Sequence, residues 1–451
     1  MKAKTSYVLI TVLLALGLVL SACSSPAAVT TQAPTGAETQ AATEALTQAP
    51  ATTEAPTTED PAAEPVTITF WHGYNADSET PFLDSTIIPA FEAANPGIKV
   101  EAVNIPYDQF HQKLVTAVAG ETAPDVARLD IIWVPEFADM GALAKLDTTM
   151  PDFNTLKDAV FAGPLSTNYL KDGYYGLPLD TNTRVLVYNQ ALFDEAGITA
   201  VPTTIDEFTA ACEKIKALGP DKYCFADGGT YAWAVDPWIW SFGGDMTNAD
   251  YTASTGYFNG PDTAAAYQYL KDGVENGYIH PGILGGGVDS WGGFGQGNIA
   301  MILEGPWFPP SFGGQFPDVK YGMTLVPAGK GGSISVVGGE DIVMFQQSKN
   351  KDAAAKFISY MLSLDTQMQM ATVGQMPVLK AASEGDNLAK LPDYFGIFLT
   401  QLETAKARTP VANWTRIEQI ITDAGTGILN GTTTVQDGLD AAVAQIDPLL
   451  Q

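Results

Sequence analysis

Of 451 residues only three are Cys and three are His, and 23 Lys plus Arg stand against 51 Asp plus Glu, a formal net charge of −28. Each scarcity excludes something. So few bases cannot build the positive surface that neutralises phosphates, which removes nucleic-acid binding. His72, His111 and His280 are too scattered for a helical zinc pair, and no metal or other cofactor is implied. A nucleophile elbow, a Walker lysine loop and a calcium-loop spacing are all missing. The glycine cluster from Gly292 to Gly297 has no neighbouring Lys and lacks dinucleotide spacing, so it reads as turn chemistry. Aromatic residues, by contrast, are plentiful: 8 Trp, 17 Tyr and 20 Phe in a chain that is 46% hydrophobic, enough to bury a core. At roughly 100–200 residues per domain, the length fits two or three domains.

Long apolar runs are also missing, with one exception at the start. Lys2 and Lys4 precede Tyr7 to Leu20, and small residues follow, the pattern of a secretory signal peptide over 1–22. A short membrane anchor is the competing reading. Leu20-Ser21-Ala22-Cys23 resembles the lipobox of bacterial lipoproteins, which implies that Cys23 becomes an acylated, palmitate-bearing N-terminus. Each buried methylene of such chains contributes about 0.8 kcal/mol to membrane binding. Residues 23–65 are then the lipidated cysteine and a tether dominated by Ala, Thr, Pro and Glu, with no aromatic and no Lys or Arg. Such a segment cannot bury enough apolar surface to offset its ordering entropy.

Beyond residue 65, strand and helix patterns alternate. Val66 to Phe70 has period two, Asp84 to Asn95 a helical face, and Ile98 to Ala102 period two again. Phe110, Leu114, Val115 and Val118 mark a second helix, and Asp125 to Leu129 a third strand, an order that favours an α/β sheet. Leu177 to Asn189 reads as extended. Thr204 to Glu207 is a capping box opening a helix with Phe208, Ala211, Cys212, Ile215 and Leu218 on one face. Ala354, Phe357, Ile358, Met361 and Leu362 form one late helical stripe, and Ile417, Ile420, Ile421 and Ile428 another.

With Cys23 assigned to lipid, Cys212 and Cys224 remain in an exported domain. They are either a disulfide closing a short loop or two buried thiols, and export favours the bridge. All eight Trp lie beyond residue 70, several near Gly, Pro or polar residues at element ends. Sugar rings stack their C–H faces on such planes while acids hydrogen-bond the hydroxyls, so a Trp-rich acidic cleft suits a neutral polyol. Paired carboxylates for glycoside hydrolysis are not excluded by sequence.

Thr69-Phe70-Trp71-His72-Gly73, followed by Pro89 through Val100, resembles the opening of the family 1 extracellular solute-binding proteins of ABC importers, the maltose-binding-protein-like receptors. The segments Ala123 to Phe137, Tyr175 to Phe193, Phe242 to Gly244, Gly297 to Trp307 and Gly338 to Asp341 continue the likeness in order. The resemblance implies a two-lobed periplasmic-binding-protein-like α/β fold with the ligand between discontinuous lobes. It places 66–179 plus 328–346 in lobe 1 and 180–327 plus 347–451 in lobe 2, with crossings near Leu179, near Pro327 and after Gln346. It also implies a monomeric, non-enzymatic receptor on the extracytoplasmic face of the membrane, handing a mono- or oligosaccharide to permease subunits.

Carried over onto this sequence, the ligand-contacting candidates are Trp71, His72, Asp130, Asp180, Trp233, Trp307, Glu340, Arg408 and Trp414. Trp238 competes with Trp233, and Asp180 is equally suited to a structural role at the hinge. Gly73-Tyr74-Asn75-Ala76 departs from the charged pair of the maltose-binding archetype, which argues against maltose itself. A polyamine or other polar solute, or an exported glycoside hydrolase or lectin, are the alternatives.

Overall fold

The computed structural model describes residues 65–285 and 287–450. The leader, Cys23 and the tether to residue 64 lie outside the described residues.

The strands in chain order are β1 (Val66–His72), β2 (Ile98–Asn104), β3 (Val126–Asp130), β4 (Tyr169–Leu170), β5 (Gly173–Tyr174), β6 (Gly176–Thr183), β7 (Val185–Asn189), β8 (Tyr223–Ala226), β9 (Ile299–Glu304), β10 (Tyr321–Thr324), β11 (Val336–Met344) and β12 (Lys406–Ala407). Period-two patterning made β1: Ile68, Phe70 and His72 are buried between more exposed neighbours. β1 pairs in parallel with β2 and β3, joined by helices, as the alternating pattern predicts. The first sheet has the order β12-β11-β3-β1-β2, with β6 on the other flank of β11. β11 runs antiparallel to both β3 and β6. A second sheet has the order β10-β7-β9-β8, and β4 with β5 forms a separate hairpin.

The fold is thus α/β and two-lobed. The chain leaves the first sheet at Thr183 and enters the second at Val185, a little later than the crossing expected near Leu179. It returns between Thr324 and Val336, which brackets the crossing expected near Pro327. The expected third crossing, after Gln346, is corrected by packing. The helix Lys351–Met361 lies against the first sheet, where Phe357 meets Phe70 and Phe91 at 5.1 Å, both edge-on. Its stripe of Ala354, Phe357, Ile358 and Met361 belongs to the core that holds Ile68, Ile342 and Met344. The helix Lys351–Met361 therefore packs with the first lobe, while Ala371 and Met376 join Val185 and Val187. Farther on, Phe395 and Phe398 join Val185, Val187 and Ile299, and the helices Trp414–Leu429 and Val435–Ile446 pack with the second-lobe helix Pro261–Glu275.

The capping box is present at Thr204 and Glu207, and Phe208, Ala211, Cys212 and Ile215 are buried as the spacing predicts. Cys212 on that helix and Cys224 on β8 form a disulfide, with Cα atoms 4.8 Å apart.

Candidate ligand-binding cleft

A cleft of about 630 Å³ opens where the strand ends of the first sheet face the second lobe. That size suits a small organic ligand. One wall comes from the loop after β1 (Gly73, Asn75), from Glu79 opening the helix Glu79–Phe82, from Tyr107 and Asp108 opening another, and from Arg128 and Asp130 on β3. The chain around Gly338, Gly339 and Glu340 on β11 contributes the floor. Asn182 comes from the crossing, Arg408 from the end of β12, and Tyr231, Trp233, Trp307 and Glu418 from the second lobe.

The two indoles face each other, with ring centroids 6.5 Å apart and planes 28° off parallel. Trp233 has room because Gly338 lacks a side chain; a Cβ there would lie 2.6 Å from its ring. The Arg408 guanidinium covers Trp233 at 5.3 Å. Arg184, in the single-residue link between β6 and β7, lies 5.7 Å from the same ring. Arg184 also donates to the Trp233 carbonyl at 2.9 Å and pairs with Asp227 at 2.9 Å. The link between the sheets is thereby tied to the aromatic wall.

Both cationic side chains of the cleft are already engaged. Arg408 pairs with Asp130 at 3.2 Å, and Asp130 also accepts from Tyr107 Oη at 2.5 Å. Arg128 pairs with Glu340 at 2.7 Å and Asp180 at 3.1 Å, with the Tyr74 ring 4.3 Å away. Gln375 bridges Arg128 to Glu79, with bonds of 3.0 and 2.6 Å. Burial pushes the Glu340 carboxyl well up; Arg128 opposes this, and Asp180 adds to it. Burial likewise raises Glu79 and Glu418, each opposed by its neighbouring guanidinium, Arg128 and Arg408 respectively. The lining holds Glu79, Asp108, Asp130, Glu340 and Glu418 against two Arg, so it offers hydrogen-bonding acids and no spare base.

Of the nine residues singled out in the sequence, the structure brings five to the cleft: Asp130, Trp233, Trp307, Glu340 and Arg408. The other four stand elsewhere. Asp180 sits one step behind, holding Arg128 and lining only a water-sized cavity of about 10 Å³. Trp71 is half-buried against the core behind the wall. His72 is fully buried, and its Nδ1 lies 3.3 Å from Asn104 Nδ2. Burial, with help from Arg128, lowers its pKa to about 3, so it stays neutral. Trp414 is 1% exposed in the core with Ile417 and Ile421. Trp238, the competitor of Trp233, is also core. Tyr107, Arg128, Gln375 and Tyr231 were missed. Arg128 had a signal: a lone base inside the apolar strand Val126–Leu129 must be paired, and there is seldom reason to bury one elsewhere.

A two-lobed α/β molecule with an aromatic, acid-rich cleft between its lobes has the form of a solute receptor. The profile of bacterial extracellular solute-binding proteins matches residues 76–368, and the chain belongs to that family, whose members are the binding components of ABC importers. A Brucella abortus protein named as a putative binding protein is 30% identical over 372 residues, covering 80% of this chain and 88% of the relative. Among solved structures, a solute-binding protein of Thermotoga lettingae bound to α-D-tagatose is 26% identical with TM-score 0.77, covering 86% of this chain and 100% of its own. The cyclic α-maltosyl-1,6-maltose binding protein of Arthrobacter globiformis is 28% identical with TM-score 0.70, covering 86% and 99%.

Proposed function

We propose that this protein is a lipid-anchored, monomeric receptor on the extracytoplasmic face of the membrane that delivers a mono- or oligosaccharide to its permease. The observation that carries the sugar reading is the pair of indoles in a cleft whose guanidinium groups are neutralised by acids. Apolar ring faces stack on Trp233 and Trp307, while Asp130, Glu340, Arg408, Tyr107 and Arg128 exchange hydrogen bonds with hydroxyls. An anionic solute would find no free base and five acids. The sugars bound by the two solved relatives, a ketohexose and a cyclic maltosyl-maltose, support the class and leave length open. The lipid anchor rests on Leu20-Ser21-Ala22-Cys23, and the tether would keep the receptor near its permease.

Thermal unfolding across a panel of mono- and oligosaccharides, with spermidine as the cationic competitor, tests the class. The expected outcome is a Tm that rises with sugar concentration. Stabilisation by spermidine alone would replace the sugar with a polyamine, a reading to which the acid excess lends itself. Release of cleaved glycoside would make the protein a hydrolase.

A further inference from the structure

Trp307 follows β9 on the turn Glu304-Gly305-Pro306, and an indole so placed offers a fixed face only if something holds its plane. Two features do so. A Cβ on Gly305 would lie 2.3 Å from the Trp307 ring, so the indole folds back over bare backbone. Its Nε1–H then donates to Glu304 Oε2 at 3.2 Å. The other oxygen, Glu304 Oε1, accepts from Trp291 Nε1–H at 2.7 Å. Trp291 belongs to the helix Ser290–Gly295, and its ring meets Phe308 and Phe312 edge-on at 5.4 and 6.2 Å. Neither Glu304 nor Trp291 lines the cleft. Burial raises the Glu304 carboxyl, with Arg184 opposing. One partly buried side chain thus commits both oxygens to two indoles, one at the cleft and one packed behind it.

We propose that Glu304 is a positioning residue: its two-oxygen bridge fixes the plane of Trp307 and ties it to the helix Ser290–Gly295. The consequence for sugar binding rests on the function proposed above; the bridge does not. The two indoles use different oxygens, so an amide in the same place keeps one acceptor and turns its NH2 towards the other indole N–H, donor against donor, while an alkyl chain serves neither.

The test follows indole N–H exchange by NMR in ¹⁵N-Trp-labelled protein. Both Trp291 and Trp307 N–H should exchange slowly in the parent. Glu304→Gln should accelerate one of them about tenfold or more, and Glu304→Leu both. Adding Trp291→Phe to Glu304→Gln frees the single oxygen for Trp307 and should restore its protection, a rescue no merely structural role would give. Unchanged Trp307 exchange in Glu304→Gln and Glu304→Leu, or acceleration that only tracks global unfolding, overturns the proposal. Calorimetric titration with maltose and D-tagatose runs beside it. The dissociation constant of whichever sugar binds should rise about tenfold in Glu304→Leu and recover in the rescued double variant. No heat from either sugar on the parent excludes those two sugars as ligands, while the exchange data still decide the bridge.

Discussion

Trp233, Trp307 and Trp414 share a side chain and part ways in their surroundings, and the difference yields a paired prediction. Trp307→Ala removes a half-buried ring face at the cleft and should weaken binding of whichever solute raises Tm about tenfold or more with little change in stability, read by calorimetric titration. Trp414→Ala leaves a void in the core and should cost about 3–5 kcal/mol in urea unfolding while sparing affinity. The sequence already contained this distinction. Trp414 precedes Ile417, Ile421 and Ile428 by three, seven and fourteen residues, which places it on the buried stripe of its own helix. Which side of β1 faces the cleft was not readable, because alternation separates Trp71 from His72 without saying which lies outward. A second prediction concerns pH. Burial pushes the Asp341 carboxyl from 3.8 to about 8, against hydrogen bonds from Asn168 and Thr167. The native state holds the extra proton between these values, so the contribution is complete below about pH 4 and is lost as pH rises through 8. His72 acts with the opposite sign, its contribution being lost as pH falls from 6.5 towards 3. Asp341→Asn should flatten the fall in urea midpoint between about pH 4 and 8, a difference of roughly 2–5 kcal/mol across the window.

At the level of elements, the helix Ile205–Lys216 was the most legible, since its start is written in Thr204 and Glu207 and its face in four buried residues. The bridge from that helix to β8 spans twelve positions. Replacing both cysteines with Ala should lower stability by about 3 kcal/mol on the chain-entropy view, measured as a reduced urea midpoint with unchanged ligand affinity. The helix Lys351–Met361 shows the limit of the same logic. Its stripe announced a buried face correctly, but an apolar stripe does not name its partner, and Phe357 found Phe70 and Phe91 in the first lobe. The crossing order after Gln346 therefore came out only with the tertiary packing. Strand β11 held a further surprise: its pairing with β6 slips between Glu340 and Asp341, so two adjacent acids serve different neighbours, Arg128 and Asn168.

For the whole molecule, hydrogen bonds join the two sides of the cleft at its rims. Ser78 and Ser311 hydroxyls lie 3.0 Å apart, and Gln315 donates to Asp77 at 2.9 Å. On another rim Thr415 donates to Glu136 at 2.7 Å, with His111 2.9 Å from the same carboxylate. These bonds are exposed or partly so, each contributing modestly, yet they act only when the lobes are together. Asp77→Ala combined with Glu136→Ala should shift the ligand-free protein towards open forms, seen as a larger radius of gyration in X-ray scattering. An unchanged radius would mean that the hinge alone sets the angle.

The central place of β11 has a bearing on how the chain is made. β1, β2 and β3 emerge early from the ribosome, but β3 gains its antiparallel neighbour only once Val336–Met344 has been synthesised. Until then the open flank of β3 has no native partner, and β6, which pairs with β11 alone, has none either. Early folding of the first lobe is thereby withheld from a nascent chain. The first sheet is therefore completed late, by contacts between segments far apart in the chain, the kind of pairing that forms slowly.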